Sequence, residues 1–241
     1  MRTILAVLMM TALVALAYRP PHDPLPQFPR TIIWAWERPE KLDFINPREV
    51  GVAFLARTIY ISGGMVTVRP RLQPLLVAPE TALMAVVRIE SQDSQPASRV
   101  EVEHAILDAA ELRGVQALQI DFDAKASERD FYRGLLVDLH RVLPPSIPLS
   151  ITALASWCEY DGWISGLPVT EAVPMLFRMG AGERYRPGQD FRPGMCRTSV
   201  GISTDEPLSE IPRGRRIYIF HPRTWTAGEL RAALQEVKRW Q

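Results

Sequence analysis

Eight apolar runs of strand length, with amphipathic helical segments in several of the gaps, predict an α/β chain closed into a single compact (β/α)8 barrel. Two observations favour that over a doubly wound sheet. No glycine-rich phosphate loop joins a strand to a helix in any unit. The 241 residues, 47% of them hydrophobic, suffice for one full-sized core, and they show no internal repeat and no second domain. A barrel this short must reduce some of its helices.

The elements follow in order. Residues 31–37, β-branched and aromatic, read as strand one, and 38–45 as a short helix. Strand two is 50–55. It leads into alternating segments over 58–69 about Gly63 and Gly64, which predict a hairpin after strand two. Strand three is 81–90. A helix over 98–112 has Ser98 at its N-cap and Glu101 three residues on, the capping-box spacing. Gly114 ends it, and strand four follows to Asp123. The helix over 127–143 carries an apolar stripe of Phe131, Leu135, Leu136, Leu139 and Val142, and Pro144 and Pro145 stop it. Strand five is 149–157, then a helical turn over 161–166, then strand six over 172–179. A Gly/Pro/Arg-rich loop over 180–194 takes the place of the next helix. Strands seven and eight are 198–203 and 216–221, and the last helix, 226–240, pairs Thr226 with Glu229 as another capping box.

Arg2 precedes an uncharged run ending in Ala15, Leu16 and Ala17, a small-x-small cleavage pattern. Residues 1–17 therefore read as a signal peptide, with an uncleaved N-terminal anchor as the alternative. The apolar run is shorter than the roughly 20 residues a membrane-spanning helix needs. Residues 18–30, with five prolines, read as a linker, and 31–241 as the barrel. The expected location is periplasmic or secreted. Export makes a disulfide between the two cysteines, Cys158 and Cys196, the favoured reading over two buried thiols. Neither has a Cys or His at ligand spacing, so no metal site is expected. Lys and Arg (28) balance Asp and Glu (27), which gives no nucleic-acid footprint. No cofactor motif is present, and no Gly-x-Ser-x-Gly elbow marks a serine hydrolase.

In such a barrel the active site lies at the carboxyl ends of the strands. Gln119, Asp121 and Asp123 alternate along strand four and so share one face, opposite Leu118, Ile120 and Phe122. Other strand ends add Trp36 and Glu37, Arg88 and Glu90, Trp157, Arg178, Asp205 and Glu206, then His221 and Trp225. Acids and tryptophans dominate. Indoles stack on the apolar faces of sugar rings and carboxylates bond hydroxyls, so a carbohydrate is the expected partner. Glycoside hydrolysis needs two carboxyl groups across the scissile bond, and the catalytic candidates are Asp123 with Asp121, Glu206 and Glu90. Trp36, Glu37, Arg88, Trp157, Arg178, Asp205, His221 and Trp225 are candidate ligand contacts. Each also has an ordinary structural role: a buried aromatic, an internal salt bridge, a turn.

The segments Trp34-Ala-Trp-Glu-Arg-Pro39, Val87-Arg-Ile-Glu90, Gln119-Ile-Asp-Phe-Asp-Ala124, Val173-Pro-Met-Leu-Phe-Arg178 and Ser203-Thr-Asp-Glu-Pro207 together resemble an uncharacterised bacterial domain family. That family is regarded as a TIM-barrel relative of glycoside hydrolases. A more distant resemblance is to the chitinase-like family 18 glycosidases, whose fourth strand carries Asp-x-x-Asp-x-Asp-x-Glu. Laid on this chain, the motif falls on Gln116, Gln119, Asp121 and Asp123. Asp121 matches, and Asp123 stands in the acid/base place with a shorter side chain. Phe177 and Arg178 occupy the positions of that family's strand-six Tyr and Asp. The resemblance implies a glycoside-hydrolase-like protein using carboxylate acid/base chemistry. A non-catalytic carbohydrate-binding or envelope-structural barrel is the alternative.

Overall fold

The structure, a computed structural model, describes residues 23–92, 98–179, 191–207 and 211–239. The expected signal, the first part of the linker and most of the loop over 180–194 lie outside the described residues.

Eight parallel strands close into a barrel. In chain order they are β1 (Thr31–Ala35), β3 (Val50–Ser62), β6 (Leu83–Ser91), β7 (Val115–Asp121), β8 (Leu149–Leu154), β9 (Glu171–Met175), β10 (Ser199–Ser203) and β11 (Arg216–Phe220). Each pairs with the next, and β1 pairs with both β3 and β11, which leaves the ring of eight without an edge. Helices are few. Among the described residues α1 (Arg99–Ala110) follows β6, α2 (Arg129–Val142) follows β7 and α3 (Ala227–Val237) follows β11.

The alternation of side chains along each strand sorts the apolar residues into two cores. The outer one holds Leu118, Ile120 and Phe122 of strand β7 with Leu135, Leu136 and Leu139 of α2 and Val102 and Ile106 of α1. The inner one fills the barrel with Ile32, Trp34, Met84, Val86, Ala117, Val173, Tyr218 and Phe220. Each large aliphatic side chain buried in this way contributes about 1.5–3 kcal/mol. Gly201 leaves room for the Phe220 ring: a Cβ there would stand 3.2 Å from it.

Several local expectations change. The hairpin after strand two is present, but its first arm is continuous with the barrel strand. β3 runs 13 residues, shifts register between Leu55 and Arg57, and turns back at Gly63 and Gly64 into β4 (Met65–Pro70). Both turn glycines have positive φ, 58° and 77°, as a two-residue turn of this hand requires. The segment read as a short helix contains instead β2 (Glu40–Leu42), paired in parallel with β5 (Leu75–Val77). Long-range pairing overrides a local preference there. The chain after β8 winds into a π-helical turn, Trp157–Asp161, ahead of the turn expected over 161–166.

The start of the second helix also differs. Ser127, where the helix over 127–143 was expected to begin, lies inside a 3-10 turn, Ala126–Glu128, that precedes α2. Ser98 and Thr226 do cap α1 and α3, each accepting from the backbone N–H three residues on. Cys158 and Cys196 are joined by a disulfide, which ties the π-helical turn to the approach to β10.

Residues 23–30, read as the end of the linker, pack against the amino-terminal end of the barrel. Leu25 and Phe28 are buried there. The Arg216 guanidinium, 1% exposed, donates to the Leu25, Phe28 and Pro29 carbonyls and pairs with Asp23 at 2.8 Å.

Candidate functional site at the carboxyl end of the barrel

Period-two alternation aims one row of β7 into the barrel, and above Ala117 that row is polar. Gln119, fully buried, donates to the Ser150 hydroxyl at 3.0 Å, and Ser150 donates to Glu171. The Tyr218 hydroxyl also donates to Glu171, and Arg216 lies 3.8 Å from the same carboxylate. Burial raises the pKa of Glu171, against the pull of Arg216 and these hydrogen bonds.

One layer higher, Asp121 accepts from Thr152 at 2.7 Å and from Arg88 at 2.8 Å. Arg88 also donates to Glu90 at 2.9 Å, so one guanidinium holds two carboxylates. Burial draws the Arg88 pKa down, but Asp121 and Glu90 together overcome it and the pKa is raised. The guanidinium lies 5.7 Å from the centre of the Trp36 ring.

Asp123 stands at the top of the row, beyond the last hydrogen-bonded residue of β7. It has no hydrogen bond or ion pair among the described residues. Its surface is open to the cavity, yet the surrounding walls strip enough water that lost hydration leads an upward shift of its pKa. Repulsion from Asp121 adds to the shift and Arg88 opposes it. A carboxyl bonded to an arginine and a hydroxyl thus lies beside one biased toward its acid form. Paired carboxylates with divided environments are how acid and base roles become separated.

These groups line a cavity of about 370 Å3, within the range of small-molecule sites. Its walls are Trp36, Leu154, Met175, Phe177 and Phe220, and its polar groups include Arg88, Asp121, Asp123, Ser156 and Arg178. The aromatic wall is continuous: Trp36 meets Trp34 at 5.1 Å, Trp34 meets Phe220 at 4.5 Å, and Phe220 meets Phe177 at 4.7 Å. Arg178 sits at the rim in a left-handed conformation, φ 51°, held by its backbone N–H donating to Glu206 at 2.9 Å.

Of the residues expected to gather, Trp36, Arg88, Asp121, Asp123 and Arg178 line this cavity, with Glu90 behind Arg88. The others do not. Trp157 is 2% exposed and packs edge-on against Trp163 in the outer core, and Trp225 is equally buried, donating to the Trp34 carbonyl. Neither can flank a ligand in the mouth. Glu37 holds the hairpin by accepting from Arg69 and from the Leu72 N–H. Asp205, Glu206 and His221 line a separate cavity against α3.

Two mouth residues that sequence reasoning left out, Thr152 and Phe220, were signalled by alternation: each lies two residues beyond an inward side chain, Ser150 or Tyr218. Glu40, 2% exposed, was also missed. It pairs with Arg38 and accepts the Trp225 N–H, and burial raises its pKa. Among the described residues no group of three or more His, Cys, Asp or Glu is placed to hold a metal ion, and no helix is long and apolar enough to cross a membrane.

No protein-family description matches the chain, and no curated protein matches it. Among solved structures it is similar to the spore cortex-lytic enzyme SleL of Bacillus cereus. The identity is 18% over 73% of this chain and 51% of that one, with a TM-score of 0.46. It is also similar to the chitinase domain of the spore coat protein CotE from Clostridium difficile, at 14% identity over 74% of this chain and 60% of that one, with a TM-score of 0.42. The chain spans about half to three fifths of the length of those two structures. Its fold stands on its own strand order: a single closed eight-stranded parallel barrel with few helices.

Proposed function

We propose that the mouth binds an extracytoplasmic carbohydrate and cleaves a glycosidic bond, with Asp123 donating the proton to the leaving oxygen. The observation that carries this reading is the division between the two acids. Asp121 is bonded to Arg88 and Thr152, whereas Asp123 has no such partner among the described residues and its pKa is raised. Asp121 then stabilises positive charge developing on the sugar ring while Asp123 supplies the proton. The aromatic wall offers apolar faces to the ring, and Trp36 is its most accessible indole. The disulfide suits an exported protein.

A second reading, a glycan-binding barrel without turnover, has its own observation. Among the described residues every other acid near the mouth is engaged: Glu90 and Asp121 share Arg88, and Glu206 holds the Arg178 N–H. Asp123 is left as the one unpaired carboxyl there among the described residues. Hydrolysis and binding assays over a panel of glycans and peptidoglycan fragments separate the two. Asp123→Asn should lower hydrolysis by about 10²–10⁴-fold while glycan binding and the fold persist. Hydrolysis at the full rate in that variant removes the catalytic assignment. Binding without cleavage by the unaltered protein favours the second reading.

A further inference from the structure

We infer that the β3–β4 hairpin carries a second sugar position above the mouth, so that the site takes an oligosaccharide or polymer and not a single sugar. The inference rests on the glycan reading of the mouth and extends it to the part of the ligand that the mouth does not hold.

Register decides which way the hairpin faces. Arg88 lines the mouth, and its partner across the parallel ladder is Thr58 of β3. Two residues on, Glu90 stands beside Tyr60, so Tyr60 shares the mouth-facing side one layer higher. Each such layer rises about 7 Å along the strand. Tyr60 pairs with Thr67 and Thr58 with Arg69, which puts Arg69, Thr67 and Met65 of β4 on that same side. The opposite side belongs to the outer core: Ile59 and Ile61 are buried in it, and Val66 packs against it.

The mouth-facing side of the hairpin repeats the chemistry of the mouth. Below, the Arg88 guanidinium lies 5.7 Å from the centre of the Trp36 ring and pairs with Glu90 at 2.9 Å. Above, the Arg69 guanidinium lies 5.7 Å from the centre of the Tyr60 ring and pairs with Glu37 at 3.0 Å. Each set holds a ring, a guanidinium and a carboxylate, and the two adjoin because Glu37 follows Trp36 in the chain. Tyr60 is half-buried, Thr67 and Arg69 are exposed, and none of the three lines the mouth cavity. An aromatic ring offers a sugar an apolar face, while the guanidinium donates to hydroxyls at the sugar's edge and the carboxylate accepts from them. At the tip the Ser62 hydroxyl bonds Gln92, and Met65, 72% exposed, stands opposite Ser62. The occupant is the next stretch of the glycan that fills the mouth, because the hairpin continues the mouth wall along β3 and β6 without a break in register beyond Arg57.

Titration calorimetry tests this in the Asp123→Asn background, which keeps the probe intact. The probes are the disaccharide and the pentasaccharide of two β-1,4-linked series, cello- and chito-oligosaccharides. In at least one series the pentasaccharide should bind about tenfold tighter than the disaccharide. Tyr60→Ala should bring the two affinities within about twofold of each other, and Tyr60→Phe, which keeps the ring, should preserve the gain.

Equal affinities for the two lengths in both series, or a gain that survives in a folded Tyr60→Ala variant, overturns the inference. If that variant does not fold, Arg69→Gln decides, since Arg69 is half-exposed on the hairpin, and an undiminished gain there also overturns it. A dimer in sedimentation that Met65→Asp dissolves, with no dependence on glycan length, assigns the free edge of β4 to a second copy of the chain and overturns it as well. A disaccharide that binds with no gain for the pentasaccharide removes this inference alone and leaves the mouth reading standing. No binding in either series removes this inference, while the wider glycan panel and the hydrolysis assay decide the mouth reading separately.

Discussion

The two ends of the barrel each set an arginine between carboxylates, Arg216 buried and Arg88 half-buried, and they use it differently. At the amino-terminal end Arg216 is surrounded by its own chain, with three carbonyls, Asp23 and Glu171 around it, and is itself 1% exposed. At the carboxyl end Arg88 satisfies Asp121 and Glu90 while Asp123, two residues from Asp121, is left facing a cavity. Burial alone does not mark a working acid. What separates the ends is whether the last carboxyl in the row has been given a partner.

The largest expected effect beyond the Asp123 test lies at the closed end. Arg216→Met strands Glu171 without its counter-charge and should cost about 3–5 kcal/mol of stability by denaturant unfolding. Adding Glu171→Leu should recover much of that loss, because an apolar pair needs no compensation. A mild loss in the single variant would mean that the network is far less dependent on charge than its burial implies.

At the open end the signs reverse. A carboxyl whose pKa is higher in the folded chain than in the unfolded one favours the fold when protonated. Its contribution is complete below the ordinary Asp value of 3.8 and is lost as pH rises through the raised value. Asp123→Asn should therefore raise the unfolding midpoint at neutral pH and leave it unaltered at strongly acid pH. The hydrolytic rate should fall as pH rises through that same raised pKa, because the donor must carry its proton. Calorimetric scans and a pH–rate profile check both, and an Asn variant less stable at neutral pH would contradict the upward shift. The smallest effect expected is at the wall: Trp36→Ala should weaken glycan binding by about 1 kcal/mol, roughly fivefold, with the melting temperature little changed.

Much of this was legible from residue order alone, for physical reasons that can be named. The barrel strands announce themselves because both faces are buried, one on the helices and one on the interior, so each reads as an apolar run. The row of Gln119, Asp121 and Asp123 was visible because strand alternation is strict. The helix caps at Ser98 and Thr226 were visible because capping is local chemistry.

What was hidden depends on partners far along the chain. Residues 40–42 become a strand only because 75–77 lie beside them. Trp157 and Trp225 leave the mouth because the chain turns outward after β8 and β11, which no local pattern encodes. The separation of Glu206 from Asp123 into two cavities follows from the same outward turn at the end of β10.

The packing of residues 23–30 fixes a direction of presentation. Arg216 anchors that segment under the barrel and so holds residue 23 at the end away from Asp123. The foot of the described chain and the cavity below Asp123 therefore occupy opposite poles, so either can be altered without touching the other.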